Sequence, residues 1–235
     1  MMTIAAVSAQ TSQTSARDIN NLLVKMGLKV DEAVNQAVVA LLGSGNHFVG
    51  GLMENAVAIQ EMETAVDRAI FSAVDCGALP SSQIRSLTTL VNINKDLARL
   101  GKLAASLGRK VSMVGEHRMQ EDFSRLQPLA IAVYHLCHQT LRSLARRDLL
   151  LARNAASTQA SVDAYRNYAF RGLHPANAAN PSPEQDVHLI FASRCLEQIA
   201  DHANDLAENL VSFLSEQAEP GCLQPEAYSR RFAVV

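Results

Sequence analysis

The chain has 235 residues, of which 48% are hydrophobic and 19% charged, and its formal net charge is -2. Such a near-neutral chain lacks the basic surface of a nucleic-acid-binding protein, and no apolar run approaches the roughly 20 residues that span a bilayer. The four cysteines form neither a CxxC pair nor a Cys/His zinc spacing, so we expect reduced thiols in a cytoplasmic protein.

The first half of the sequence predicts three helices preceded by a tail. Residues 1–15 lack apolar periodicity and are predicted to be a flexible N-terminal tail. Residues 16–117 carry apolar side chains every three or four positions, which is typical of helices packed against a core. Gly and Pro in residues 43–46 and 75–80 predict the two breaks that separate these helices.

The second half, residues 118–218, repeats this organisation. One helix is predicted from about Glu121 to Arg147, and Asp148 is predicted to open the next. Residues 172–183 form the clearest loop, because four of the five residue types that favour turns occur there. Residues 219–235 are predicted to be a C-terminal tail.

The last helix has the strongest start signal in the chain. Ser182 can cap it, Pro183 suits its first position, and Gln185 would complete a capping box. Its apolar residues then follow a heptad pattern, as do those of the third helix, which is predicted to begin at Ser81 or Ser82.

The third and sixth helices can be superposed with an offset of 99 residues. The matching residues are Lys95, Asp96, Leu97, Leu100, Ala104 and Leu107 in the third helix and Arg194, Cys195, Leu196, Ile199, Ala203 and Leu206 in the sixth. The sequence therefore predicts an all-α fold of two tandem three-helix bundles, six long helices in all, related by a pseudo-twofold internal duplication.

A row of acidic residues follows one face of the sixth helix. Glu197 and Asp201 are four residues apart, and Asp205 continues the row. Like charges at this spacing repel each other unless the face is solvated or a cation neutralises it. Carboxylates suit hard or borderline cations, and His202 beside the row could add a nitrogen ligand. Spacing alone leaves a solvated acidic stripe and a metal site both open.

Three segments resemble the motifs of a known family. The segment from Leu196 to Ala203, LEQIADHA, is similar to the LERIGDHA-type signature of the PhoU family of phosphate-signalling regulators. Val162 to Arg166 resembles its VDxLYR segment, and residues 94–104 resemble the same signature in the first repeat. The resemblance covers roughly residues 16–218 and implies two three-helix bundles.

The resemblance also implies a metal-binding motif, because family members bind iron or zinc clusters through E(D)xxxD carboxylates on the bundle surface. Carried over by position, Glu197 and Asp201 match that motif and Asp163 matches the acid of the neighbouring helix. His202 and Asp205 are secondary candidates. The implied cofactor is iron or zinc, or Mg or Mn, on the surface of the second bundle.

The first repeat departs from the family pattern. Ala98 and Lys102 stand where the motif carboxylates would be, and Gln60 stands where the partner helix should offer Asp. Gln159 likewise replaces an acid in the second repeat. A metal site is therefore not expected in the first bundle.

By resemblance, the chain would be a non-enzymatic negative regulator of phosphate uptake. It would contact a phosphate ABC transporter and a sensor histidine kinase, form a homodimer, bind no nucleic acid, and meet the membrane only through its partners. One alternative is a helical scaffold or adaptor without a metal or phosphate role. The other is a metal-dependent helical enzyme, although di-iron sites need Glu-x-x-His pairs and His202 follows Glu197 by five residues.

Overall fold

The computed structural model describes residues 2–43, 49–75, 80–114, 123–172 and 183–218. Within these ranges the chain forms seven α-helices and one short 3-10 helix at Phe123–Leu126, with no β-strand, so the all-α prediction is confirmed. The helices are α1 (Met2–Leu41), α2 (Val49–Asp75), α3 (Ser81–Val114), α4 (Gln127–Arg146), α5 (Leu149–Ser157), α6 (Gln159–Gly172) and α7 (Pro183–Ala218). None of these helices combines the length and apolarity that crossing a membrane requires.

Several helix ends lie close to their predicted positions. Helix α3 begins at Ser81 and α7 begins at Pro183, as the capping signals indicated. Asp148 caps α5, where its carboxylate accepts a hydrogen bond from the backbone N–H of Leu151 at 3.0 Å. The predicted cap Ser182 and the C-terminal tail at 219–235 lie outside the described residues.

The first and fourth helices begin at other residues than predicted. Residues 1–15 were predicted to be a tail, yet α1 begins at Met2; no Gly or Pro occurs there to stop the helix. The helix predicted from Glu121 instead begins as α4 at Gln127, after the 3-10 turn. Pro128 explains this start, because proline lacks an N–H and fits only the first turn of a helix.

The fifth predicted helix is divided into α5 and α6 at Thr158. The Thr158 hydroxyl donates to the Asn154 carbonyl at 3.0 Å, and the Ser157 hydroxyl donates to the same carbonyl at 2.7 Å. The Thr158 N–H bonds three residues back, to Ala155, rather than four. These local bonds compete with the helical ladder and tighten it. The prediction of six long helices is therefore confirmed, and the fifth of them consists of two shorter helices, α5 and α6.

Each half of the chain packs as a bundle, and the two bundles share one core. Helices α1, α2 and α3 contact one another, and α4 to α7 form the second group. The halves meet where α3 packs along α7 and where α1 packs on α4. Buried apolar side chains from all of these helices belong to a single continuous cluster.

Helices α3 and α7 run antiparallel along the bundle interface. At one end, the Ser86 hydroxyl of α3 donates to the Glu216 carboxylate of α7 at 3.2 Å. At the other end, the Lys110 ammonium of α3 lies 5.0 Å from the ring centre of Phe191, within cation–π distance. Early residues of one helix thus face late residues of the other, as a twofold relation requires.

The duplication is visible in the pairs that face each other across this interface. Asp96 of α3 lies close to Asp205 of α7. Cys195, 99 residues after Asp96, lies near Ser106, which is 99 residues before Asp205. Burial raises the pKa of the Cys195 thiol, while Ser106 and Lys110 act in the opposite direction. The two pseudo-equivalent positions share a geometry and differ in chemistry.

The cysteines that the structure describes fit the expectation of reduced thiols. Cys137 and Cys195 are free and buried, and burial raises the pKa of the Cys137 thiol far above its ordinary value. Cys76 and Cys222 lie outside the described residues.

Two glycines let α2 approach α3 closely. A Cβ added to Gly101 would lie 2.7 Å from the Ile59 Cδ1 atom, and one added to Gly108 would lie 2.8 Å from the Leu52 Cδ1 atom. Ile59 and Leu52 are seven residues apart on α2, so each fills the space left by one glycine. The glycines therefore set the distance between these helices.

We expect Gly101→Ala to lower the free energy of unfolding by about 1–3 kcal/mol, because three Ile59 side-chain atoms lie within 3.5 Å of the new methyl group. Gly51→Ala is the matched control, since its Cβ would meet only the Gln36 amide at 3.9 Å. Without a clash, Gly→Ala in a helix should stabilise by up to about 1 kcal/mol. Urea unfolding measures both, and equal effects would contradict the packing argument.

Candidate functional site

The acidic residues predicted as ligands lie where α6 passes beside α7. We call Asp163, Glu197 and Asp201 the acidic ledge. Glu197 is the most buried of the three, with 15% of its side chain exposed, while Asp163 is 39% exposed and Asp201 is exposed. The ledge combines one α6 residue with two α7 residues that are four positions, about one helical turn, apart.

Arg166 of α6 connects two members of this ledge. Its Nη2 atom lies 3.0 Å from the Asp163 Oδ1 atom, and its Nη1 atom lies 3.3 Å from the Glu197 Oε1 atom. On the other side of Glu197, the Arg194 Nη1 atom lies 2.8 Å from Oε2. One guanidinium therefore brings Asp163 and Glu197 together, and both Glu197 oxygens are paired with arginine.

The third residue of the ledge, Asp201, has a raised pKa. Burial raises its pKa, and the neighbouring Glu197 carboxylate raises it further. Arg166 opposes this rise, and Asp205 adds to it. A rise in the pKa of a carboxyl means that its charged form is less favourable here than in water.

These contacts do not fit a resident metal cluster on the ledge. A cation there would share Glu197 with two guanidinium groups and Asp163 with one, and like charges at that distance repel. The arginines already supply the positive charge that the carboxylates require. Asp163 and Glu197 therefore form an ion-pair network with Arg166 and Arg194.

The corresponding face of the first bundle also uses a side-chain cation. The Lys102 ammonium lies 3.1 Å from the Glu63 Oε2 atom, so lysine occupies the position of the motif Asp and pairs with an acid of α2. Ala98, at the position of the motif Glu, is buried in the core. Gln60 is exposed on α2.

His202 and Asp205, the secondary candidates, turn away from the ledge toward the other bundle. The His202 Nδ1 atom lies 3.7 Å from Asp96 Oδ1 and 3.9 Å from Asp205 Oδ2. One ligand atom from each of the three residues lies within 4.8 Å of the others. We call Asp96, His202 and Asp205 the interbundle cluster.

Asp96 is the buried centre of the interbundle cluster. Its side chain is 10% exposed, and its Oδ2 atom accepts a hydrogen bond from the Asn209 amide at 2.9 Å. Burial raises the pKa of Asp96, and the Asn209 hydrogen bond works against that rise. Sequence reasoning missed Asp96 as a site residue. The sequence did place Asp96 in the alignment of the third and sixth helices. That alignment could not show which residues of α7 face Asp96.

The two histidines of α4 have different surroundings. The His138 Nδ1 atom lies 3.0 Å from both carboxylate oxygens of Asp31, and its ring stacks on Tyr134 with 5.6 Å between centroids. His135 is exposed. The His138–Asp31 pair joins α4 to α1, so it is one contact between the two bundles.

Comparison with known proteins identifies similar chains. A family model described as the PhoU domain matches residues 129–210. The phosphate-specific transport system accessory protein PhoU homolog of Pseudomonas aeruginosa is 25% identical over 205 residues, which cover 86% of this chain and 85% of that protein. PhoU homolog 1 of Thermotoga maritima is 21% identical over 189 residues, covering 80% and 82%.

Two solved structures share the fold. The crystal structure of PhoU from Pseudomonas aeruginosa has a TM-score of 0.78 at 25% identity and covers 86% of this chain and 98% of that chain. The PhoU regulatory protein of the Streptococcus pneumoniae phosphate transport system has a TM-score of 0.74 at 17% identity, covering 87% and 96%.

We expect the Arg166–Glu197 pair to contribute more to the free energy of unfolding than the Lys102–Glu63 pair. The Arg166 and Glu197 side chains are 29% and 15% exposed, whereas Lys102 is 57% exposed and therefore more screened by solvent. Double-mutant cycles with alanine should give a coupling free energy of about 1 kcal/mol for the first pair and about 0.3 kcal/mol for the second. Equal values would contradict the idea that Arg166 neutralises the ledge.

Proposed function

Because this chain is a PhoU-like protein, we propose that it is a non-enzymatic accessory regulator of phosphate uptake and of phosphate-responsive signalling. It would act in the cytoplasm through contacts with a phosphate transporter and a sensor histidine kinase. It would reach the membrane only through these partners, bind no nucleic acid and form a homodimer.

One observation carries the phosphate part of this proposal. The similarity to an accessory protein of a phosphate-specific transport system extends over 86% of the chain and 85% of the Pseudomonas relative, so it spans most of both proteins. A match confined to one helix pair would support the fold alone, because function belongs to sites and surfaces rather than to folds.

The surface of α7 supports recognition by contact. Asp201 and Glu208 are exposed and seven residues apart, so their carboxylates lie along one face of the helix. Beside them, Glu197 is fixed by two arginines and cannot reorient freely. Charged surfaces of this kind steer association and select partners. The proposed role therefore requires protein contacts and no chemical step.

A helical scaffold without a phosphate role or a metal on the acidic ledge is the second candidate, and the ion pairs of the ledge favour it over a regulator assisted by metal at that ledge. Glu197 and Asp163 are already neutralised by arginine. The di-iron enzyme alternative gains no support, because the carboxylates of the ledge lie beside arginines rather than beside paired Glu-x-x-His motifs. The scaffold reading differs from the regulator in predicting no phosphate phenotype.

The test is deletion of the gene followed by measurement of phosphate accumulation and alkaline phosphatase output in phosphate-rich medium. Loss of a negative regulator should raise both quantities, and the wild-type gene should restore them. Normal values in the deletion strain would remove the phosphate role and leave the scaffold.

Charge reversal on α7 tests the contact surface in the same strain. We expect Asp201→Lys with Glu208→Lys to fail to restore regulation, because the partner would meet positive charge. The matched control is Glu54→Lys with Glu61→Lys on α2, an exposed acidic pair with the same seven-residue spacing. Equal restoration by both double variants would exclude this face of α7 as the contact.

A further inference from the structure

We propose that the interbundle cluster of Asp96, His202 and Asp205 binds one divalent transition-metal ion, which links the first bundle to the second. This site differs from the acidic ledge in position and in ligands, since it takes one residue from α3 and two from α7. The proposal does not depend on a role in phosphate uptake.

The ligand atoms are already close to the separation that a metal imposes. Zinc lies about 2.0–2.2 Å from imidazole nitrogen and carboxylate oxygen, so tetrahedral ligands stand about 3.4 Å apart. The His202 Nδ1 atom is 3.7 Å from Asp96 Oδ1 and 3.9 Å from Asp205 Oδ2. Small side-chain rotations would bring all three atoms into the first coordination shell, and the remaining position would be left for water.

His202 supplies an independent indication. Its Nδ1 atom is buried and has no hydrogen-bond partner among the described residues, although nearly all buried polar atoms in proteins have one. The two carboxylates lie beyond hydrogen-bonding distance from it. A nitrogen that faces two carboxylate oxygens across these gaps is positioned to share a cation with them.

The surroundings orient Asp96 toward this cation. The Asn209 amide donates to Asp96 Oδ2, so Oδ1 is the oxygen that faces His202. Hydrogen bonds of this kind around ligands fix their orientation and tune the affinity of metal sites. The Asp205 carboxylate also raises the pKa of Asp96, and the Arg99 guanidinium lowers it. A buried carboxylate beside a second acid needs positive charge, and a divalent ion provides it.

The ligand set suits zinc and its neighbours better than magnesium or calcium. One imidazole with two carboxylates is a borderline nitrogen and oxygen set, whereas the hard ions prefer oxygen alone. His202 and Asp205 are three residues apart on α7, so their side chains lie on one face of the helix and can reach one ion. Asp205 is 59% exposed and gives the ion a route from solvent.

The position related to the interbundle cluster by the internal repeat lacks these ligands, so the chain itself contains an equivalent position without a metal site. There, Cys195 of α7 lies near Ser106 of α3, and Lys110 replaces Asn209 at the 99-residue offset. Leu103 stands at the position of His202. An ammonium in place of an amide would repel a metal ion, so we expect one site per chain.

The experiment is calorimetric titration of Zn²⁺ into the full chain, purified without a metal-affinity tag and freed of metal. We expect one ion per chain. Asp96→Asn and Asp205→Asn should each weaken Zn²⁺ binding by more than about tenfold, and Asn209→Ala by about tenfold. Asp205→Asn keeps the test valid if Asp96→Asn fails to fold, because Asp205 is at the rim.

The control is Glu197→Gln with Asp201→Asn, which removes two acids from the ledge and leaves the interbundle cluster intact. Its Zn²⁺ affinity should stay within about threefold of the wild type, a difference below 1 kcal/mol. No binding, or binding that this control abolishes while Asp205→Asn preserves it, would overturn the proposal. Failure here would leave the deletion phenotype unaffected, so the two proposals are tested separately.

Discussion

The antiparallel packing of α3 on α7 is the contact on which the rest of the molecule depends. It joins the bundles, it carries the twofold relation between the repeats, and it brings Asp96 to His202. Close approach of α2 to α3 at Gly101 and Gly108 fixes the other side of α3. Helix α3 is therefore held by both bundles, and its side chains are positioned by both.

The sequence predicted the fold to the extent that local signals determine it. Apolar spacing indicated the long helices, Asp148 indicated the start of α5, and Pro183 indicated the start of α7. The division at Thr158 escaped prediction because hydroxyl groups bonding back to Asn154 differ little in sequence from those of an unbroken helix. Such a tightening depends on competition between nearly equal hydrogen bonds.

The site was predictable in part for the same reason. Helical spacing placed Glu197 and Asp201 on one face, and the family resemblance selected Asp163 from the neighbouring helix. The role of Arg166 could not be derived, because it requires knowing which face of α6 meets α7. Asp96 could not be derived either, because its neighbours belong to the other repeat. Side chains paired across a tertiary contact leave no trace in the spacing of one helix.

The single apolar core that runs through both bundles has a consequence for how the protein assembles. Among the described residues, α3 and α7 bury apolar side chains against each other, so the interiors of the two repeats are continuous at this interface. Two fragments severed between the repeats should thus be poorly folded when separate and should regain structure on mixing. A chain with an internal repeat would then fold as a single cooperative unit, because one core serves both repeats.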